Sequence, residues 1–161
     1  MDIHAFLNQH GIEYIHHDHP AVFTCEEAEQ LLPNGIGGAD TKNLFLRDKK
    51  GRKHALVTVG PQTKVDLNTL GELIALPKPG FASPERLLKY LGITPGSVSI
   101  MGLVNDPEHQ VNFYIDAELW KAESFRVHPL RNDASLVISK QGIEAFLAAS
   151  GHQLNVIEVP Q

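Results

Sequence analysis

Short apolar runs and helically spaced apolar residues alternate along the chain, and each pattern predicts a different kind of secondary structure. Over residues 2–10, Ile3, Phe6 and Leu7 recur at helical intervals and Gly11 ends the pattern, which predicts a short amphipathic helix. Further helices are predicted at 24–32, 66–73, 83–92, around 119–120 and at 141–149. Strands are predicted at 13–17, 41–48, 55–59, 98–104, 111–115, 125–130, 134–139 and 154–159.

Polar residues mark where two of these helices begin. Thr24 and Glu27 have the spacing of a capping box, in which each side chain bonds the other residue's amide. Ser83 precedes Pro84, a pair typical of an N-cap followed by the first helical position. After that helix, Pro95-Gly96 predicts a tight turn with positive φ at the glycine.

The clearest local pattern is a β-hairpin over residues 41–59, with apolar runs at 44–46 and 55–59 on either side of a basic turn. Runs of this length bounded by glycine and charged residues are typical of strands buried on both faces. Lys42 and Asn43 lie at the mouth of the first strand. By position alone Lys42 fits a solvated strand end better than a fixed cation in a cleft, because lysine is seldom buried.

The order of elements predicts an α/β (α+β) fold. Strands outnumber helices, and adjacent hairpins outnumber strand–helix–strand units, so we expect a mixed, mainly antiparallel sheet or barrel flanked by helices. The 161 residues fit one domain spanning 1–161. A chain of this length buries about two-thirds of its unfolded surface.

Charge is unevenly distributed along the chain. The net charge of −5 argues against sequence-blind binding to long nucleic acid, so DNA is not an expected partner. The span 42–53 nevertheless holds six cations against one anion, Asp48, and such a patch fits either the end of a nucleic acid or a solvated hairpin turn. The cations are Lys42, Arg47, Lys49, Lys50, Arg52 and Lys53.

Cysteine count and hydropathy limit the compartment and the cofactors. Cys25 is the one cysteine, which excludes an internal disulfide and a cysteine-rich zinc site and fits a reducing cytoplasm. No apolar run approaches the roughly 18 residues that span a bilayer, so no membrane partner is expected. The N-terminal residues lack a basic region and a cleavage site, and we expect no signal peptide.

Histidines and glycines at two places invite a ligand-binding interpretation that the sequence does not support. His16, His17 and His19 lack a clear third ligand on one face, so no metal is expected. The loop at 33–40 contains three glycines but no phosphate-binding motif. It is interpreted as a mobile segment, and a lid candidate, beside Lys42.

Three separate signals carry chemistry, and the sequence has neither a nucleophile elbow nor a metalloprotease motif. They are Thr-Lys-Asn-Leu-Phe-Leu at 41–46, Gly-Ile-Thr-Pro-Gly-Ser-Val-Ser at 92–99, and Val-His-Pro-Leu-Arg-Asn-Asp-Ala-Ser at 127–135. In this order they resemble the trans-editing family that includes the prolyl-tRNA synthetase insertion domain and the free-standing YbaK-like and ProX-like deacylases. The resemblance covers almost the whole chain, and residues 47–57 look most like the ProX branch.

The resemblance implies a YbaK-like fold, no cofactor, and hydrolysis of alanine mischarged onto proline tRNA, with prolyl-tRNA synthetase as a further expected partner. It implies catalytic positions at Lys42, Gly96 and His128, with the lysine holding phosphate or ribose oxygens and the glycine turn stabilising an oxyanion. Family members are thought to use the tRNA's own 2′-hydroxyl and an ordered water, so His128 is assigned to positioning first and to base catalysis second. The implied substrate contacts are Asn43, Ser97 and Asn132, with apolar walls at Ile36, Leu44, Phe45, Val98 and Met101. The implied tRNA contacts are Arg47, Lys49, Lys50, Arg52 and Lys53.

Three alternatives stay open on the sequence. The substrate amino acid could be cysteine or serine rather than alanine, because different pocket walls would separate these activities. The chain could instead bind aminoacyl-tRNA or a synthetase without catalysis, although the joint presence of Lys42, Gly96 and His128 argues against this. A globular domain without a site would leave the three motif matches as coincidence.

Overall fold

The computed structural model of the protein describes residues 2–20 and 37–161. The predicted helix at 24–32 with its capping box and Cys25 lies outside the described residues. Ile36 and the first part of the predicted lid at 33–40 lie outside them as well. None of the helices in the described ranges is long and apolar enough to cross a membrane.

Most of the described α-helices begin at a residue whose side chain caps the first turn. The Asp66 carboxylate accepts a hydrogen bond from the Thr69 amide, and the Ser83 hydroxyl accepts one from the Arg86 amide, with Pro84 in the first turn as predicted. The described α-helices are α1 (Ile3–Gln9), α2 (Leu67–Leu73), α3 (Pro84–Leu91), α4 (Ala117–Trp120) and α5 (Lys140–Ser150).

The sequence predicts a sheet or a barrel. The described strands form two open sheets and no closed barrel. They are β1 (Ile15–Asp18), β2 (Lys42–Arg47), β3 (His54–Val59), β4 (Gly80–Phe81), β5 (Val111–Asp116), β6 (Ser124–Val127), β7 (Ala134–Ser139) and β8 (Asn155–Ile157). The smaller sheet has the order β1-β7-β6 and is antiparallel, whereas the larger has the order β4-β2-β3-β5-β8. In the larger sheet β3, β5 and β8 run parallel, and the predicted hairpin of β2 and β3 is confirmed.

Side-chain alternation along β2 and β3 divides the apolar residues between two cores. Phe45 and Leu56 pack into the main core, which also holds residues of α1, α3 and α5. Leu44 and Val57 leave the opposite face and pack into a second core with Leu70 of α2. Each fully buried side chain of this size contributes about 1.5–3 kcal/mol, and the two cores together fix the register of the hairpin.

The strand predicted at 98–104 is wrong. Residues Ile100–Asn105 form a 3₁₀ helix that begins at Ser99, whose hydroxyl accepts a hydrogen bond from the Met101 amide. All its apolar side chains are buried, and a short apolar run buried on every side has no periodicity that separates helix from strand. The strand predicted at 125–130 likewise ends earlier, at Val127, shortly before Pro129, whose nitrogen has no hydrogen to donate to a sheet.

Candidate active site

The segment before Lys42 lies along β6, the strand that leads to His128. The Ala39 amide donates to the Ser124 carbonyl and the Arg126 amide to the Ala39 carbonyl, both at 2.9 Å. The Thr41 hydroxyl then donates to the Arg126 carbonyl at 2.8 Å. These bonds connect the two sheets and place the start of β2 next to the end of β6.

An ion pair strengthens the same junction. Arg126 Nη2 lies 2.5 Å from Asp40 Oδ1, and the two side chains are only 17% and 15% exposed. Arg126 Nε is buried without a hydrogen-bond partner among the described residues. Neither Asp40 nor Arg126 was selected from the sequence, because residues 86 positions apart give no local signal of an ion pair.

Asn43 ties β2 to both the neighbouring strand and the glycine turn. Its Oδ1 accepts a hydrogen bond from the buried Thr58 hydroxyl at 2.6 Å, and its Nδ2 donates to the Val98 carbonyl at 3.2 Å. The amide therefore uses both of its ends within the protein. Its clearest role is to hold the turn that contains Gly96 against the strand that begins with Lys42.

The predicted turn at Pro95-Gly96 has the expected geometry. The Ser97 amide donates to the Thr94 carbonyl at 3.1 Å, and Gly96 has φ of 87°, as the third residue of a type II turn requires. Ser97 is buried and its amide is used by the turn, whereas the Gly96 N–H has no hydrogen-bond partner among the described residues. Of the two amides, only that of Gly96 is available to a ligand.

Lys42 is the first residue of β2, and its ammonium is only weakly held. Nζ donates to the Thr63 carbonyl at 3.4 Å, near the upper limit for a hydrogen bond. Within the described ranges no carboxylate lies within ion-pair distance of it. By alternation its side chain leaves β2 on the face of Leu44, opposite to Asn43. The long flexible stem lets the ammonium turn towards an anion at the strand end.

The tautomer of His128 follows from its hydrogen bond. Nδ1 lies 3.0 Å from the Ala134 carbonyl, which can only accept, so Nδ1 carries the proton and Nε2 is an acceptor. Nε2 has no partner among the described residues. Burial is the main cause that lowers the pKa of His128 below the usual value, with a smaller contribution from the charge of His19. The imidazole is therefore neutral at neutral pH.

His19 is a neighbour of His128 that the sequence suggested only as a metal ligand. Its ring centroid lies 6.5 Å from that of His128, and its Nε2 lies 2.9 Å from the hydroxyl of Ser135 on β7. Both His19 and Ser135 are buried. A proline follows His19 as one follows His128, and this repeated His-Pro pair was the signal that could have indicated it.

The predicted apolar walls do not meet in one place. Leu44 packs in the second core, whereas Phe45 packs in the main core on the opposite face of β2, so the two side chains cannot line one pocket together. Met101 is fully buried in the main core, and Val98 packs against that core half-buried. Asn132 lies half-buried in the turn between His128 and β7.

The predicted tRNA contacts lie at the other end of the hairpin. Arg47 is half-buried, whereas Lys49, Lys50, Arg52 and Lys53 are exposed. The Asp48 carboxylate accepts hydrogen bonds from the Arg52 and Lys53 amides at 2.8 and 3.1 Å, and these bonds hold its pKa below the usual value. Asp48, the one anion of the turn, therefore accepts hydrogen bonds from the turn's own backbone.

Two further observations concern metal ligands and cavities. Over residues 2–20 and 37–161, no three histidine, cysteine or carboxylate side chains are grouped to hold a metal ion. A cavity of about 300 Å³ lies beside Ala55, Leu76 and Asn112, near the hairpin turn rather than near Lys42. The open end of the hairpin, where Lys42 pairs with Val59, presents three polar groups: the loosely held ammonium of Lys42, the N–H of Gly96, unpartnered among the described residues, and the neutral imidazole of His128.

Comparison with known proteins gives a family match over most of the chain. Residues 19–146 match the model of the aminoacyl-tRNA editing domain. The matched range includes all three segments that meet at the open end of the hairpin.

Curated relatives match over almost their whole length. The chain is 40% identical to the prolyl-tRNA editing protein ProX of Acetoanaerobium sticklandii, and the match covers 96% of this chain and 94% of that protein. It is 33% identical to the prolyl-tRNA synthetase associated domain-containing protein 1 of Xenopus laevis, over 98% of this chain and 95% of the relative.

A solved structure supports the fold. A protein described as a candidate trans-editing enzyme for prolyl tRNA synthetase superposes with a TM-score of 0.71 at 21% identity, covering 99% of this chain and 95% of that one. At this identity the likeness establishes the fold, which agrees with the mixed sheets flanked by helices that the sequence predicts.

Proposed function

This chain belongs to the family of aminoacyl-tRNA editing domains and is an aminoacyl-tRNA deacylase, and we propose that it hydrolyses alanine from mischarged proline tRNA. One observation carries the proposal. The Asn43 amide ties the strand of Lys42 to the turn of Gly96, while Thr41 and Ala39 tie the same strand to the one that leads to His128. These contacts bring the three segments together at one end of the hairpin, which supports an ester-binding site there.

The available backbone amide supplies the electrostatic part of the reaction. Attack on the aminoacyl ester places negative charge on the carbonyl oxygen, and the Gly96 N–H is positioned to donate to it. One such donor is worth about 3–4 kcal/mol in other acyl-transfer enzymes. Because Gly96 has no side chain, the ester can approach its backbone closely.

His128 is suited to activate the water. With the proton fixed on Nδ1 by the Ala134 carbonyl, Nε2 accepts a proton from water as its oxygen attacks the carbonyl carbon. The bond from that carbon to the ribose oxygen then breaks, and Nε2 returns its proton to the ribose oxygen. The products are the free amino acid and intact tRNA. For His128 we therefore propose base catalysis ahead of positioning, the reverse of the order expected from the sequence.

Lys42 binds the tRNA side of the ester. An ammonium on a flexible stem acts as a point charge towards phosphate or ribose oxygens, and the weak bond to the Thr63 carbonyl is readily exchanged for such a ligand. We also assign substrate contacts to Asn132, which is half-buried, and to Ser97, which is buried. The basic turn of the hairpin, from Arg47 to Lys53, contacts the acceptor end of the tRNA.

Selection of alanine over proline rests on size. A synthetase site built for proline cannot exclude the smaller alanine, because a missing methylene costs only about 1–3 kcal/mol. A second, smaller pocket can exclude proline by overlap while admitting alanine. Prolyl-tRNA synthetase and a cytoplasmic location are the partner and the compartment that this activity implies.

The test is a deacylation panel with proline tRNA charged with alanine, cysteine, serine or proline. We expect release of alanine and retention of proline at matched enzyme concentration. Preferential release of cysteine or serine would move the substrate assignment to that amino acid. Release of none, with binding retained, would leave a non-catalytic aminoacyl-tRNA binding module.

A further inference from the structure

Arg86 of α3 lies across the turn of the hairpin. Its Nη1 donates to the Gly51 carbonyl at 3.1 Å and lies 3.2 Å from Nε2 of His54. A Cβ built on Gly51 would come within 2.5 Å of Arg86 Nη2 and displace the guanidinium, and the φ of 70° at Gly51 favours glycine. Arg86 therefore joins α3 to the basic turn, and its guanidinium is held between the two elements.

His54 is the buried support of this contact. It is 2% exposed, its ring stacks on Phe45 with centroids 5.6 Å apart, and Tyr90 lies 4.1 Å away on the same ring. Because a guanidinium can only donate, Nε2 of His54 must accept, and the ring is neutral. Burial first, and then the charge of Arg86, lower the pKa of His54, while Arg47 and Lys89 lower it further. Three cations from two segments, β2 and α3, thus lie around one neutral ring, and the carboxylate of Asp48 opposes their effect on its pKa.

The cationic face continues along α3. Arg86, Lys89 and Tyr90 are three and four residues apart and share one side of the helix. Lys89 Nζ lies 5.3 Å above the Tyr90 ring. The acidic residues of the turn and the helix are Asp48, which is bound by the turn's amides, and Glu85, which lies in the first turn of α3. Positive charge therefore dominates a surface that spans both elements.

We propose that the basic turn (residues 47–53) and the Arg86–Tyr90 side of α3 form one surface that binds the phosphodiester backbone of an RNA duplex, the acceptor stem of the tRNA. The identity of the RNA rests on the proposed function. We choose RNA as the partner because its phosphates are negatively charged, whereas this chain, with a net charge of −5, has a concentration of cations on this surface. Lys42 and Arg47 are five strand steps apart, roughly 17 Å, so the surface meets phosphates well away from the ester.

The test measures binding of uncharged proline tRNA by fluorescence anisotropy over a series of salt concentrations. The double variant Arg86→Gln/Lys89→Gln is expected to weaken binding several-fold at low salt. It should also reduce the slope of log K against log salt by one to two, about one for each lost phosphate contact. Lys121 is an exposed lysine at the end of α4, and Lys121→Gln is the matched control that should leave both values unchanged.

Further variants separate loss of contact from loss of fold. Lys89→Gln alone keeps the bond between Arg86 and His54 and should still reduce the slope, with an unchanged thermal midpoint. An unchanged slope in both variants, or an equal loss in Lys121→Gln, would overturn the proposal. If the native protein hydrolyses charged tRNA but the α3 variants leave the salt slope unchanged, the binding surface is refuted and the proposed function stands. Salt-dependent binding without hydrolysis of any charged tRNA would refute the proposed function alone.

Discussion

The two ends of the β2–β3 hairpin differ in how their polar groups are held. At the open end, side chains bond residues far away in sequence: Asn43 reaches Val98, Thr41 reaches Arg126, and Asp40 pairs with Arg126. At the turn end, the Asp48 carboxylate bonds amides four and five residues away. The open end carries one weakly held cation, whereas four exposed cations crowd the turn end.

The difference indicates a division of labour between the two ends. On the proposed function, the long-range bonds hold the backbone around the reacting ester, and small errors in such positions are costly to rate. Exposed cations on a local turn provide attraction that is screened by salt and tolerant of position. Changes at the open end should therefore act on the rate of hydrolysis, and changes at the turn end on affinity for tRNA.

The largest effect is expected from Lys42→Ala. Removal of the ammonium should lower kcat/KM about a thousandfold, by analogy with the loss of one preorganised donor, while the thermal midpoint stays nearly unchanged. Lys64→Ala, an exposed lysine in the turn after β3, is the control and should keep full activity. A large fall in the thermal midpoint of Lys42→Ala would mean that the lysine is structural.

His128→Gln should come next, with a loss of about a hundredfold in kcat, because general-base catalysis is worth that much or more. Burial lowers the pKa of His128, so the imidazole stays neutral and active to lower pH than an ordinary histidine. In the native protein kcat/KM should be flat around neutral pH and fall only as the pH drops below that lowered pKa. A fall centred above the usual histidine pKa would contradict the assignment.

Asn43→Ala should have a mixed effect, because it leaves the buried Thr58 hydroxyl without its acceptor. The expected cost is about 1–3 kcal/mol of unfolding free energy, together with a loss of about tenfold in kcat as the Gly96 turn loosens. The double variant Asn43→Ala/Thr58→Val removes both buried partners and should recover stability by urea unfolding without recovering kcat. Recovery of both would show that Asn43 acts through stability alone.

The same contrast explains what the sequence could and could not predict. The turn end rests on local contacts, so its hairpin, its basic character and the cap of α3 were predicted from residues a few positions apart. The three motifs that we assign to the site were recognised from their residues and their order. The family resemblance was then confirmed by the match to the aminoacyl-tRNA editing domain.

The contacts that assemble the site were beyond sequence reasoning. The bonds from Asn43 to Val98 and from Asp40 to Arg126 join residues 55 and 86 positions apart, and no local pattern encodes them. The 3₁₀ helix Ile100–Asn105 was mistaken for a strand because it is buried on all sides. The alternation of a strand already puts Leu44 and Phe45 on opposite faces. The sequence does not show which of these two faces borders the proposed site.

The smallest effect is expected at the turn end, from the triple variant Lys49→Gln/Lys50→Gln/Arg52→Gln. These side chains are exposed and each attracts phosphate only through screened charge, so KM for charged tRNA should rise a few-fold at low salt with kcat unchanged. The difference from the native protein should shrink as salt is added, because added ions screen the native charges too. Steady-state kinetics at two salt concentrations provides the measurement. A fall in kcat that persists at high salt would place part of the chemistry at the turn and end the division between the two ends of the hairpin.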